Sequence, residues 1–215
     1  MVNSRLPNRQ SIRLQGYDYS QAGAYFITIC TQNRLHLFGR IVDGEMVLND
    51  AGQMIQRIWH EIPRDFAHIQ LHEFIIMPNH IHGIIEIIGG VGVGADSISA
   101  RIAKQAPPQS RATVEFRADM ESAPTVGMVV QSFKRHSTIE YIRMVKNGVL
   151  SRFNQKIWQR NYWEHIIRNE QEHHRIAQYI CNNPLKWEMD KLNHDCSGNQ
   201  VMESAVEYNH EVWMI

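Results

Sequence analysis

No apolar run in this 215-residue chain extends beyond a handful of residues, and even the stretch around Ile84 to Ile88 is broken by Glu86. Nothing in it is long enough to span a bilayer, which takes about 20 apolar residues. The first ten residues, MVNSRLPNRQ, lack the apolar core of a signal peptide. A cytoplasmic protein with no membrane partner is expected. Cysteine is scarce: Cys30, Cys181 and Cys196 are odd in number, widely separated and without CxxC spacing, so neither a disulfide framework nor a cysteine zinc site is suggested. Net charge is absent too, 22 basic residues standing against 22 acidic ones. Taken alone, that balance argues weakly against a nucleic-acid partner.

What is present suits one globular domain with arms. The chain is 43% hydrophobic and 20% charged, which excludes collagen-like, coiled-coil and wholly disordered classes. Counted by segment, the charge is uneven. Residues 1–17 hold Arg5, Arg9 and Arg13 with no acid, and residues 131–160 hold seven basic residues against Glu140 alone. From Glu188 to Ile215 six acids face only Lys191. A basic middle of this kind either tracks a phosphate backbone or is a solvated helix face.

Secondary-structure signals alternate along the first half. Ala24 to Thr31 is β-branched and aromatic, as in a buried strand. Leu35–Val42 and Met46–Leu48 flank Asp43-Gly44 as in a hairpin. Asn49 or Asp50 caps a helix carrying Met54, Ile55, Ile58 and Trp59, with Pro63 expected just beyond its end. Strands follow from Ile69 to Met77 and Ile81 to Ile88. Residues 89–125 are rich in Gly, Ala, Ser and Pro and read as a mobile insertion. Thr125 caps a further helix with an apolar stripe of Val126, Val129, Val130 and Phe133, expected to leave Lys134 and Arg135 exposed until Gly148. A short strand from Tyr162 to Ile167 precedes a helix opened by Asn169 and Glu172 and closed by Pro184. The succession is compatible with an α+β, ferredoxin-like antiparallel sheet with helices packed on one face. The expected organisation is a basic arm over 1–19, a domain over 20–187 and an acidic tail over 188–215.

Two constellations carry polar chemistry. In Pro78-Asn79-His80-Ile81-His82-Gly83 the two histidines are spaced i, i+2 at the head of a strand. They share one sheet face about 7 Å apart, close enough to ligate a single divalent ion, while Ile81, Ile85 and Ile87 anchor the other face. Gly83 would let another chain approach closely. A hydrogen-bonded pair without metal is the plainer meaning of HxH in a chain with 12 histidines. In Tyr179-Ile-Cys-Asn-Asn183 the phenol and the amide lie one helical turn apart on one face. Each is alternatively a core-edge tyrosine and a helix-capping asparagine.

Together the two constellations resemble the HUH endonucleases of the single-tyrosine type, the transposases of the insertion-sequence 200/605 family. MPNHIHGII is similar to their histidine motif. WQRNYWEHIIRN over 158–169 and YICNNPLKW over 179–187 resemble more specifically the REP-associated tyrosine transposases, as does NRQSIRLQGYDYSQAGAYFITICTQNR at the start. The resemblance covers roughly 8–88 and 126–187. It implies a ferredoxin-like fold, His80 and His82 as metal ligands, Asn183 as the amide completing the site where insertion-sequence members usually have glutamine, and Tyr179 as nucleophile. The implied cofactor is Mg²⁺ or Mn²⁺, and the implied substrate is single-stranded or hairpin DNA, cleaved to a 5′-phosphotyrosine and a free 3′-OH. Arg9, Arg13, Lys134, Arg135, Arg160 and Arg168 are candidates for phosphate contact, and Tyr162, Trp163 and Trp187 either stack bases or belong to the core, with core favoured for Trp163. Whether Tyr179 acts within its own subunit or across a homodimer is left open. Two other classes stay in view: a hairpin-binding protein that does not cut, and a histidine-rich metal-binding module without DNA.

Overall fold

The computed structural model describes residues 20–89 and 125–193. The basic arm, most of the expected insertion and the tail beyond Asn193 lie outside them, and with them Arg9 and Arg13.

Strand β1 (Gly23–Cys30) leads through a 3-10 turn to the hairpin β2 (Gly39–Val42) and β3 (Glu45–Leu48). Asp43 and Gly44 both take positive φ, 52° and 78°, as a two-residue type I′ turn demands. Helix α1 (Asp50–Asp65) follows, capped by the Asn49 side chain on the Gly52 amide. It runs through Pro63 instead of ending before it. Proline at this point forfeits a single bond near the helix end, and the Phe66 amide still closes onto Ile62. Strands β4 (Ile69–Ile76) and β5 (His80–Ile87) form the second hairpin. Helix α2 (Val126–Lys146) begins at the Thr125 cap, and Gly148 turns the chain away at φ 75°. Strand β6 (Trp163–Ile167) and helix α3 (Glu170–Asn182) complete the order, with a 3-10 segment over Pro184–Met189.

The main sheet is antiparallel with order β4-β5-β1-β6. With α1 and α2 as connections it is a βαββαβ, ferredoxin-like arrangement in an α+β fold. The expectation of helices on one face needs correction, because the sheet is covered on both. Tyr25, Ile27 and Ile29 of β1 and Ile81, Ile85 and Ile87 of β5 join one core with Ile55, Ile58 and Trp59 of α1 and Val129, Val130 and Phe133 of α2. Their alternating neighbours Ala24, Phe26 and Ile84 join Ile176, Ala177 and Ile180 of α3 in a second core. Strands with apolar residues on both faces must be covered on both, and α3, arriving after the edge strand β6, covers the second face. His80 and His82 sit on that second face.

Gly83 faces the opposite way. A Cβ there would stand 2.5 Å from Cζ2 of Trp59. The close approach it permits is thus by the Trp59 indole, itself stacked on Phe74 with ring centroids 4.4 Å apart. The chain also remains packed beyond Trp187: Leu192 is buried, and its carbonyl accepts from the Asn79 amide at 2.7 Å.

Candidate active site

β5 enters at His80, and in the register with β1 His82 lies opposite Thr28 while His80 lies opposite Cys30. Both imidazoles are buried, at 0% and 2% exposure. Their Nε2 atoms converge to 3.0 Å. Burial, reinforced by His82, Arg34 and His36 nearby, holds His80 well below the usual imidazole range, and burial pushes His82 down to about 3. Both rings are therefore neutral at physiological pH, the form in which imidazole binds a metal.

The outer nitrogens are also held. His80 Nδ1 lies 2.7 Å from Asn79 Oδ1, and that amide is oriented by its own donation to the Leu192 carbonyl. An amide oxygen only accepts, so His80 carries its proton on Nδ1 and offers the Nε2 lone pair inward. His82 Nδ1 meets Thr28 Oγ1 at 2.8 Å. A hydroxyl both donates and accepts, so Thr28 serves either tautomer of His82.

α3 brings Tyr179 over the pair, 97 residues away in sequence, with its hydroxyl 3.4 Å from His82 Nε2. Its ring packs edge-on to Phe26 and His82, which fixes its direction. Asn183, at the C-terminal cap of α3, donates a side-chain hydrogen bond to the phenol. The other end of that amide, Oδ1, is buried without a hydrogen-bond partner. Two neutral imidazoles with converging Nε2 atoms and an orphaned amide oxygen nearby make a donor set that fits a divalent cation. Burial pushes the Tyr179 phenol up to about 12, Asp190 adding to the effect and the Asn183 hydrogen bond opposing it.

Two contributors, Asp190 and Asn79, escaped sequence reading, and Trp187, a candidate for either stacking or core, is buried. Asp190 Oδ2 stands 3.8 Å from His80 Nε2, although Asp190 counted only as one charge of an acidic tail. Trp187 lies against the His80 ring at 6.0 Å between centroids, its side belonging to the core. Asn79 stood inside the histidine motif, but only the tertiary partner Leu192 shows what it does.

The candidate DNA-contacting residues separate. Lys134 is corrected from exposed to half-buried, because its ammonium donates to the carbonyls of Gln159 at 2.9 Å, Arg160 at 3.3 Å and Asn161 at 3.0 Å. It lies 5.7 Å from the Tyr162 ring centroid, and Tyr162 packs against the first core. Arg135, Arg160 and Arg168 are exposed. Trp163 packs edge-on against Phe26 while lying parallel to His165, ring centroids 5.8 Å apart. Among the described residues no helix is long and apolar enough to cross a membrane.

No protein-family model matches the chain. Solved structures similar to it include a REP-associated tyrosine transposase bound to a REP hairpin, 20% identical, covering 81% of this chain and 73% of that one with a TM-score of 0.42. Another, from Deinococcus radiodurans and described as a transposase, is 14% identical and covers 79% of this chain and 95% of its own with a TM-score of 0.38. An "uncharacterized protein" of Haemophilus influenzae (strain Rd) is 40% identical over 190 residues, 88% of this chain and 96% of its own length. At that identity and coverage, the chain belongs to the same family as the Haemophilus influenzae protein.

Proposed function

We propose that this chain is a REP-associated tyrosine transposase: a metal-dependent endonuclease and strand transferase that acts on single-stranded or hairpin DNA through a 5′-phosphotyrosine. The observation that carries the reading is the meeting of Tyr179 with His82 at 3.4 Å, beside His80 and Asn183. A phenol brought over two converging neutral imidazoles that could hold a metal suits tyrosine attack on a phosphodiester. His80, His82 and the Asn183 carbonyl would hold Mg²⁺ or Mn²⁺. Bound there, such an ion supplies Lewis acidity to a nonbridging phosphate oxygen and positive charge beside the phenol.

The residues of the chain do the rest. Asn183 and the Phe26 and His82 rings aim the Tyr179 hydroxyl, so that its oxygen meets the phosphorus in line. Attack forms the tyrosine–phosphorus bond and breaks the bond to the 3′ oxygen, which departs as a 3′-OH with the proton that the phenol gives up. Because the phosphoester is retained on the enzyme, a second 3′-OH reverses the step and joins DNA without a nucleotide cofactor. Exposed Arg135, Arg160 and Arg168 would neutralise phosphates along the strand.

Incubation of the protein with a labelled single-stranded hairpin, with and without Mn²⁺, tests the reading. A metal-dependent covalent adduct at the 5′ side is expected, abolished by Tyr179→Phe with hairpin binding nearly intact. An adduct that persists in that variant overturns the assignment, and retention of the hairpin by the wild type with no adduct replaces it by a binding protein.

A further inference from the structure

A second group of metal-binding side chains lies on the same sheet face, outside the tyrosine site. Between Leu71 and Phe74 the register of β4 against β5 slips by one: three steps along β4 match two along β5, from Ile85 to Gly83. This is a β-bulge, and it places two consecutive residues opposite one. His72 and Glu73, which a regular strand would send to opposite faces, are therefore both turned to the face that α3 covers. There they meet His173 from the first turn of α3. One ligand atom from each of His72, Glu73 and His173 lies within 4.8 Å of the others. Three ligands about 2.0–2.2 Å from one tetrahedral ion stand about 3.4 Å apart, so closure asks for side-chain rotations that draw the atoms together by about 1 Å.

The surroundings suit a cation. The Glu73 Oε2 atom is buried without a hydrogen-bond partner and lies 4.0 Å from His173 Nε2. His72 donates from Nε2 to Glu86 Oε2 at 2.7 Å, the carboxylate–imidazole support that orients metal-bound histidines. That leaves its Nδ1 as the ligand nitrogen. The His72 and His173 rings stand at 80° with centroids 5.1 Å apart, and both keep about a fifth of their side-chain surface exposed, so an ion can enter from solvent.

We propose that His72, Glu73 and His173 form a second divalent-metal site, taking a borderline transition ion of which Zn²⁺ is the representative, with Glu86 holding His72. Two imidazoles and one carboxylate are a donor set for that class. An ion there ties α3 to the edge strand β4, about 9 Å along the helix from Tyr179. The proposal does not depend on any activity toward DNA.

The experiment is Zn²⁺ binding to chelator-stripped full-length protein by equilibrium dialysis, with thermal unfolding alongside. His173→Ala is expected to bind one equivalent fewer than the wild type, whatever the His80 and His82 pair binds, and to lose part of the rise in unfolding temperature that Zn²⁺ gives. Glu73→Gln keeps the shape of the side chain and serves if the first variant does not fold; its affinity at this site should fall at least tenfold. Equal stoichiometry and affinity in the folded variants overturns the proposal.

Discussion

Asn79 accepts the Nδ1 proton of His80 across 2.7 Å. Its amide nitrogen is committed to the Leu192 carbonyl at the same distance, so a residue beyond the last helix determines that His80 presents an unprotonated Nε2 to His82. The chain of bonds explains why the segment after Trp187 is packed on the domain.

Asn79→Ala removes the acceptor that fixes His80. Metal affinity of the histidine pair should fall by about 10–100-fold, the usual effect of losing a partner of a metal-bound histidine. Calorimetric titration with Mn²⁺ measures it. An affinity within twofold of wild type would show that the bond does not orient the ligand.

Without metal, stability should decline as pH falls below the ordinary histidine range. His82 takes a proton near pH 6.5 when unfolded and only near about 3 when folded. Between those values the unfolded state binds the extra proton, so the stability present above pH 6.5 is lost on acidification. With a chelator present, urea unfolding at pH 6 to 4 should give a slope about 1.4 kcal/mol per pH unit steeper for wild type than for His82→Asn. Parallel slopes would mean that His82 protonates in the folded state.

Gly83→Ala drives a methyl group into the Trp59 indole, itself wedged against Phe74 and Phe133. Overpacking of this kind costs about 1–3 kcal/mol. A lowered urea midpoint with unchanged m-value is expected; an unchanged midpoint would mean that the indole moves freely.

Lys134 and Arg135 are neighbours with opposite expectations. Lys134→Met strips the donor from three successive carbonyls and should cost roughly 2 kcal/mol of stability. Arg135→Ala should leave stability alone and lower the salt dependence of DNA binding by about one phosphate contact. A reversal of the two phenotypes in unfolding and salt-titration assays would refute this division.

Much of the fold was legible because it rests on local patterns. The β-branched and aromatic content of Ala24–Thr31, the apolar run at Ile81–Ile88, the caps at Asn49, Thr125 and Asn169 and the Asp43-Gly44 turn each act within a few residues, and each took the form that pattern implies. The i, i+2 spacing of His80 and His82 and the i, i+4 spacing of Tyr179 and Asn183 likewise fixed which side chains share a face. The β4 bulge that turns His72 and Glu73 the same way left no such mark, since it depends on register with β5.

The sequence by itself determined the elements, the two constellations and the clustering of basic residues, all consequences of spacing along one strand or helix. Only the tertiary structure decided which face of the sheet each helix covers, that Lys134 spends its charge on backbone carbonyls and that the indole of Trp59 fills the space at Gly83. It alone brought Tyr179 over His82 and the Leu192 carbonyl to Asn79, because those contacts join residues 97 and 113 positions apart. Spacing along an element fixes direction; only the packing of elements fixes what stands at the other end.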